Sequence, residues 1–290
     1  MNSGFINVLK PPGMSSHDVV STLRRVYGQK RIGHAGTLDP GAAGVLPVAI
    51  GQATRLIEYL ADAGKSYRAE LTFGYATDSG DDFGKKIATA NFSMPDKTKL
   101  ESVLASFLGE SKQTPPMHSA IKVDGNTLYK LARQGISVEV PERTIYISKI
   151  ALLSIKESSI LFDVDCSKGT YIRTLCMDIG KKLAIPAVMS FLIRTKVGSF
   201  NLADSFTLEE VAAQPLAVLL PMDTVLSDLP AIIFTDRQAK AFQQGQKIKL
   251  EQSLPDQAIV RIYSEKKIFI GIGKYAKNYF HITPIKVIAY

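Results

Sequence analysis

Apolar positions along the chain switch between two periods. In SSHDVVSTLRRVYG (15–28), Val19, Val20, Leu23, Val26 and Tyr27 recur at helical spacing. Ser15 stands ahead of them as an N-cap with Asp18 three residues on, so the stretch predicts a capped helix. QATRLIEYLAD (52–62) also reads as helical, and KSYRAELTFGY (65–75) alternates as a strand does. TDSGDDFGK (77–85) is a turn-rich loop. In TKLESVLASFLG (98–109), Leu100, Val103, Leu104, Phe107 and Leu108 form the stripe of an amphipathic helix.

A proline-rich entry, an Asp-Gly turn and a short basic helix follow in QTPPMHSAIKVDGNTLYKLARQG (113–135). TIYISKIALLSIKESSILFDVDC (144–166) predicts two strands turning near Glu157–Ser159, and TYIRTLCMDIGKKLA (170–184) a helix. The pattern changes near Leu226–Pro230. Beyond it come the short strands AIVRIY, KIFIGIG and HITPIKVIAY, with Glu265 and Lys266 turning between the first two, the pattern of a small β-barrel. Helices and strands mix without steady βαβ alternation, so the expected class is α+β. The expected division is a larger domain over 1–228, carrying an insertion at about 110–138, and a small one over 229–290.

At 290 residues the chain can bury a large core unaided. There is no apolar run long enough for a membrane span, and the first residues lack the pattern of a secretory signal. Cys166 and Cys176 have neither a disulfide framework nor CxxC metal spacing, which fits reduced thiols in the cytoplasm. The four histidines are scattered without metal-ligand spacing, and no nucleotide-cofactor loop is evident, so neither metal nor cofactor is expected. Net charge is +8, and residues 231–290 alone hold ten basic against four acidic side chains. Such a surplus attracts polyanions, nucleic acid above all, although a solvated basic face would read the same way.

The strongest chemical signal is GHAGTLDPGAAGVLPVAIG (33–51). Between Ile32 and Thr54 the only charged side chain is Asp39, among five glycines and two prolines. An Asp-Pro pair can simply cap a helix or a turn. A cap, however, needs no chargeless flanks. Glycines let a backbone approach a ligand closely, and a sheltered carboxylate calls for a cation from elsewhere in the chain.

The blocks VLKPPGMSSHDVV, GHAGTLDPGAAGVLPVAIGQATRL, KSYRAELTFGYATDSGDDFG, PPMHSAIKVDGNTLYKLARQGI, CSKGTYIRTL and FLIRT occur in one order over most of the first 200 residues. In these the chain resembles the bacterial tRNA pseudouridine synthase B (TruB) family. The resemblance implies a pseudouridine synthase domain with a mixed, mainly antiparallel sheet flanked by helices, followed by a PUA-like barrel. It implies isomerisation of uridine 55 in the tRNA T-arm to pseudouridine, with no cofactor.

By the same resemblance Asp39 is the catalytic aspartate, and Arg173 is its cationic partner, favouring and orienting the charged form. Asp39 attacks C1′ of the ribose, attacks C6 of the base, or assists elimination; the residues leave the three routes open. Tyr67 matches the active-site tyrosine, able to stack on uracil beside a departing proton. Leu192 lines the base pocket, and His34 stacks where the flipped base had been. Lys10, Lys122, Lys130 and Arg133 are expected phosphate contacts, the last three in an insertion that closes over the RNA. His17 lies in a family block too, and His118 stands where relatives often carry another aromatic. The C-terminal barrel would grip the acceptor stem, and a monomer acting without guide RNA is implied.

Two rivals remain at this stage. A non-catalytic RNA-binding module or tRNA-folding chaperone would need only the basic C-terminal region. A phosphotransferase is suggested by Asp163 and Asp165 in LFDVDCSKGT, although that motif lies mid-chain and alternates as an ordinary strand.

Overall fold

The computed structural model describes residues 2–119, 121–123, 125–136, 138–250 and 254–288; the side chains of Lys122 and Arg133 lie outside this description. The large sheet is built, in chain order, from β1 (Gly4–Lys10), β2 (Ile32–His34), β3 (Ala43–Ile50), β4 (Lys65–Phe73), β5 (Gly109–Gln113), β6 (Arg143–Ile155), β7 (Ser159–Cys166), β8 (Ala187–Val197) and β9 (Phe200–Asn201). Spatially the order is β1-β3-β8-β4-β7-β6-β5, with β2 on β3 and β9 on β8. Pairing is antiparallel except between β3 and β8.

Alternation on β4 turns Tyr67, Ala69, Leu71 and Phe73 to one face. Helices α2 (Lys97–Ala105) and α3 (Ile172–Leu183) cover that face through Leu100, Val103, Leu104, Leu175, Cys176 and Ile179. On the other half of the sheet, α1 (Ser16–Tyr27) packs Val19, Val20 and Leu23 on Ile6, Val8, Leu46 and Val48. The opposite face of β3 and β1 buries Val45, Ala49 and Phe5 in a separate cluster. Covered on both faces, these strands read as continuous apolar runs.

The predicted capping box of α1 is present: Ser15 and Asp18 satisfy each other's backbone N–H, and Gly28 closes the helix in the left-handed region (φ 59°). The helix expected over 52–62 is instead a 3₁₀ stretch, Gly51–Leu56, followed by a single turn, Glu58–Ala61. Ala53 and Leu56, both buried, lie three residues apart, which suits the tighter helix.

A second sheet runs β10 (Ala231–Phe234), β12 (Ile259–Ser264), β13 (Phe269–Ala276), β14 (His281–Val287), β11 (Ile248–Lys249), with α4 (Asp236–Gln243) packed on it. The strands expected from the sequence are β12 to β14; β10 and β11 flank α4 in addition. Phe269, Ile272 and Ile288 enter the same cluster as Phe5, Val45, Leu56 and Met222, so the two sheets share a core. Arg261 donates to the Leu229 carbonyl at 2.9 Å and, across the junction, to Ser227 O at 3.4 Å.

Candidate active site

Asp39 rides on the loop between β2 and β3. Each carbonyl from Gly36 to Pro40 has a donor. Arg194 reaches Gly36 O (3.2 Å) and Thr37 O (3.3 Å), Ser16 Oγ reaches Leu38 O (3.1 Å), and Ala42 N reaches Asp39 O (3.0 Å). Pro40 O receives Gly13 N at 2.8 Å and Lys10 Nζ at 3.3 Å. Leu38 N also donates to Ser16 Oγ at 2.9 Å. A loop so fully bonded holds its one carboxylate in a fixed place.

Arg194 is a functional residue that sequence reasoning passed over. It sits on β8 and is fully buried, and its Nε donates to Val45 O at 2.8 Å. Gly44 makes the approach possible. Its φ of +115° suits glycine, and a Cβ there would lie 2.2 Å from the Arg194 carbonyl. The available signal was one arginine inside the apolar strand MSFLIRTKV.

Arg173 comes from α3, far from Asp39 in sequence. Its Nε lies 3.0 Å from Asp39 Oδ2, and its Nη2 donates to Oδ1 at 3.4 Å. The guanidinium side chain is 6% exposed and the carboxylate 39% exposed, so the pair presents its acid outward. Arg173 also donates to Ser79 O (3.1 Å) and His118 O (2.8 Å), and Asp81 lies 3.8 Å away. One guanidinium thus ties together the Asp39 loop, the 77–85 turn and the segment after β5. Such multiple, planar hydrogen bonding is the use for which arginine, unlike lysine, is suited. His118 contributes its carbonyl here, and its ring packs edge-on to Tyr129.

Tyr67 and Leu192 are buried in one cluster with Leu38 and Ala42, directly beside the loop. Burial raises the Tyr67 phenol above its ordinary range, and the neighbouring Arg194 guanidinium opposes that rise. His34 ends β2. Burial lowers its imidazole below the usual value, with Arg194 and His17 adding to the effect and the Gly36 backbone opposing it.

Lys10 departs from its expected place. It is fully buried at the end of β1, donating to Pro11 O (2.8 Å), Met14 O (2.5 Å) and Pro40 O. Burial lowers its pKa to about 8, with Asp39 pulling it up and Arg194 pushing it down. An ammonium enclosed by carbonyls fixes the backbone under Asp39 and has no open side for a phosphate. Lys130 is exposed on the short helix Leu128–Arg133. Asp163 of the rival phosphotransferase motif pairs with Arg68 at 2.8 Å on the sheet surface, the place of a structural ion pair. Among the described residues no helix is long and apolar enough to cross a membrane, and no His, Cys, Asp and Glu side chains cluster as metal ligands.

The architecture is shared with solved structures. The chain aligns over 99% of its length with a protein in "Structure of H/ACA RNP bound to a substrate RNA containing 2'-deoxyuridine" (TM-score 0.75, 25% identity, 85% of that chain). It aligns equally far with one in "Crystal Structure of a Cbf5-Nop10-Gar1 Complex" (TM-score 0.74, 27% identity, 84% of that chain). Residues 24–172 match the N-terminal domain of TruB family pseudouridylate synthases, 173–227 the tRNA pseudouridylate synthase B C-terminal domain, and 230–288 the pseudouridine synthase II TruB C-terminal region. Fold and site therefore define an isomerase of the pseudouridine synthase class.

Within that class the chain belongs to the TruB family. It is 47% identical over 279 residues to tRNA pseudouridine synthase B of Alkaliphilus oremlandii, covering 93% of this chain and 92% of the relative. Against the protein of the same name from Caldanaerobacter subterraneus the identity is 44%, covering 93% and 94%.

Proposed function

We propose that this protein converts a uridine of the tRNA T-arm, position 55, to pseudouridine. The observation that carries this reading is the bidentate pairing of Arg173 with a half-exposed Asp39 on a glycine-rich loop otherwise free of charge. The N1–C1′ bond breaks, the freed uracil turns, C5 bonds to C1′, and the C5 proton passes to the rearranged base; no atom or electron is gained or lost. Asp39, oriented by the guanidinium, attacks C1′, attacks C6 or assists elimination. Tyr67 and Leu192 form the wall against which uracil lies, with the Tyr67 hydroxyl protonated. His34, uncharged and flat, fills the gap left when the base swings out, at a cost of a few kcal/mol in stacking.

Residues 1–228 form the catalytic unit in this reading, with the segment at about 110–138 closing on the RNA through Lys122, Lys130 and Arg133. Residues 229–290 are a PUA-like unit that holds the acceptor stem. Lys249 and Lys274, exposed on the second sheet, and Lys277 in the turn after β13 support a phosphate-binding role for it. The enzyme works as a monomer in the cytoplasm, without guide RNA, and the family relatives named for tRNA support that choice over a bare RNA-binding module.

The deciding experiment incubates T-arm RNA with wild type and with Asp39→Asn and maps pseudouridine. Wild type modifies the one uridine and the variant does not. Equal modification by both overturns the assignment of Asp39, and none by wild type overturns the activity.

A further inference from the structure

Phe83 is 81% exposed, the most exposed large apolar side chain among the described residues. Single exposed apolar side chains are ordinary on protein surfaces. This one differs in where it sits and how firmly it is held. One edge of its ring rests against the Asp39 loop: a Cβ built on Gly41 would come within 2.1 Å of Phe83 Cε2 and 2.7 Å of Cζ, which leaves most of the ring exposed. Gly41 is two residues from Asp39, so the exposed ring stands beside the loop that carries the acid.

The backbone beneath the ring is fixed. Phe83 N donates to Asp81 Oδ1 at 3.1 Å, and Gly84 N to Asp81 O at 3.3 Å. The turn is closed on both sides by Asp78, whose N–H meets Lys85 O at 3.0 Å and whose Oδ1 accepts Lys85 N at 2.9 Å. Asp81 itself lies 3.8 Å from Arg173. The guanidinium that holds Asp39 is thereby linked to the turn that presents Phe83.

The chemistry of the surroundings selects the partner. Asp81 and Asp82 directly precede Phe83 in the chain, and carboxylates repel phosphate. A neutral, flat group is favoured, and an unpaired nucleobase has a π-face that stacks on an aromatic side chain whatever its sequence. We propose that Phe83 stacks on an unstacked base of the RNA substrate next to the target uridine, bracing the loop from which that uridine is extruded. This rests on the function proposed above.

The test uses full-length protein and a T-arm stem-loop RNA. Phe83→Ala should raise KM about tenfold, the size of one lost base–aromatic stack, with kcat moving less. Phe83→Leu, which still covers Gly41, should lose as much, and Phe83→Tyr should stay within about twofold of wild type. The chain contains no tryptophan, so Phe83→Trp supplies a single fluorophore, and the stem-loop should quench it on binding.

An unchanged KM for Phe83→Ala, full activity of Phe83→Leu, or an unquenched F83W protein would each overturn the proposal. Should Phe83→Ala fail to fold, the other three variants still decide. If wild type makes no pseudouridine, the proposed activity fails by itself, while quenching of F83W by RNA separately reports the contact.

Discussion

Arg173 offers two nitrogens to the two carboxylate oxygens of Asp39, at 3.0 and 3.4 Å, while itself almost wholly buried. The geometry fixes the direction of the acid. Asp39→Asn keeps the shape and removes the anion. We expect pseudouridine formation to fall by at least about a thousandfold, as when a nucleophile is deleted, with RNA affinity changed by no more than a few-fold. Single-turnover kinetics beside filter binding would measure the two separately.

Arg173→Lys keeps the charge and loses the fork. A single ammonium cannot serve Asp39, Ser79 O and His118 O together. Turnover should drop by about a hundredfold, the scale of losing a preorganised electrostatic partner. Arg173→Met should also cost about 3–5 kcal/mol of stability, because Asp81 and Asp39 lose a buried counter-charge. Chemical denaturation of the two variants would distinguish lost orientation from lost stability.

Arg194 holds the loop through its backbone carbonyls. Arg194→Met strands the carbonyls of Gly36, Thr37 and Val45. We expect about 3 kcal/mol of destabilisation, from unsatisfied buried acceptors and a lost network. In whatever fraction remains folded, kcat should fall with little change in KM. A variant with wild-type stability and kcat would show that the loop supports itself.

The imidazole of His34 lies below its usual value, chiefly because it is buried. The unfolded chain therefore takes up this proton first as pH falls. Below about 6.5 the folded state loses stability until the folded imidazole also titrates. His34→Asn removes that contribution, so wild type minus variant stability should decline from pH 7 to 5. NMR titration of His34 in the free enzyme should give a midpoint under the ordinary value.

Lys249 and Lys274, exposed on the second sheet, test the proposed phosphate-binding role. Changing both to Gln should lower the slope of log affinity against log salt by about two. Deleting 231–290 would bare the apolar surface that Phe269, Ile272 and Ile288 share with Phe5 and Leu56, and destabilise the rest.

The legible parts of the sequence were those with local cause. The capping box of α1, the hairpin of β6 and β7 and the alternation of β4 each follow from neighbouring residues. The pairing of Asp39 with Arg173 could be expected only through resemblance, since spacing says nothing about a contact between distant segments. Lys10 misled because a lysine is ordinarily solvated; the clue was its place as the one charge closing an apolar strand, GFINVLK. Arg194 was hidden by the same assumption. The 3₁₀ stretch at Gly51–Leu56 depended on packing against Asn2 and Ser3, which no local window contains. Phe83 looked like one residue of an acidic turn until the fold laid it on Gly41.

Because Phe269, Ile272 and Ile288 knit the small sheet to Phe5 and Leu56, the two parts cannot swing independently. An RNA that spanned both parts, as in the proposed function, would meet them at a fixed separation, so that its reach would count alongside its letters.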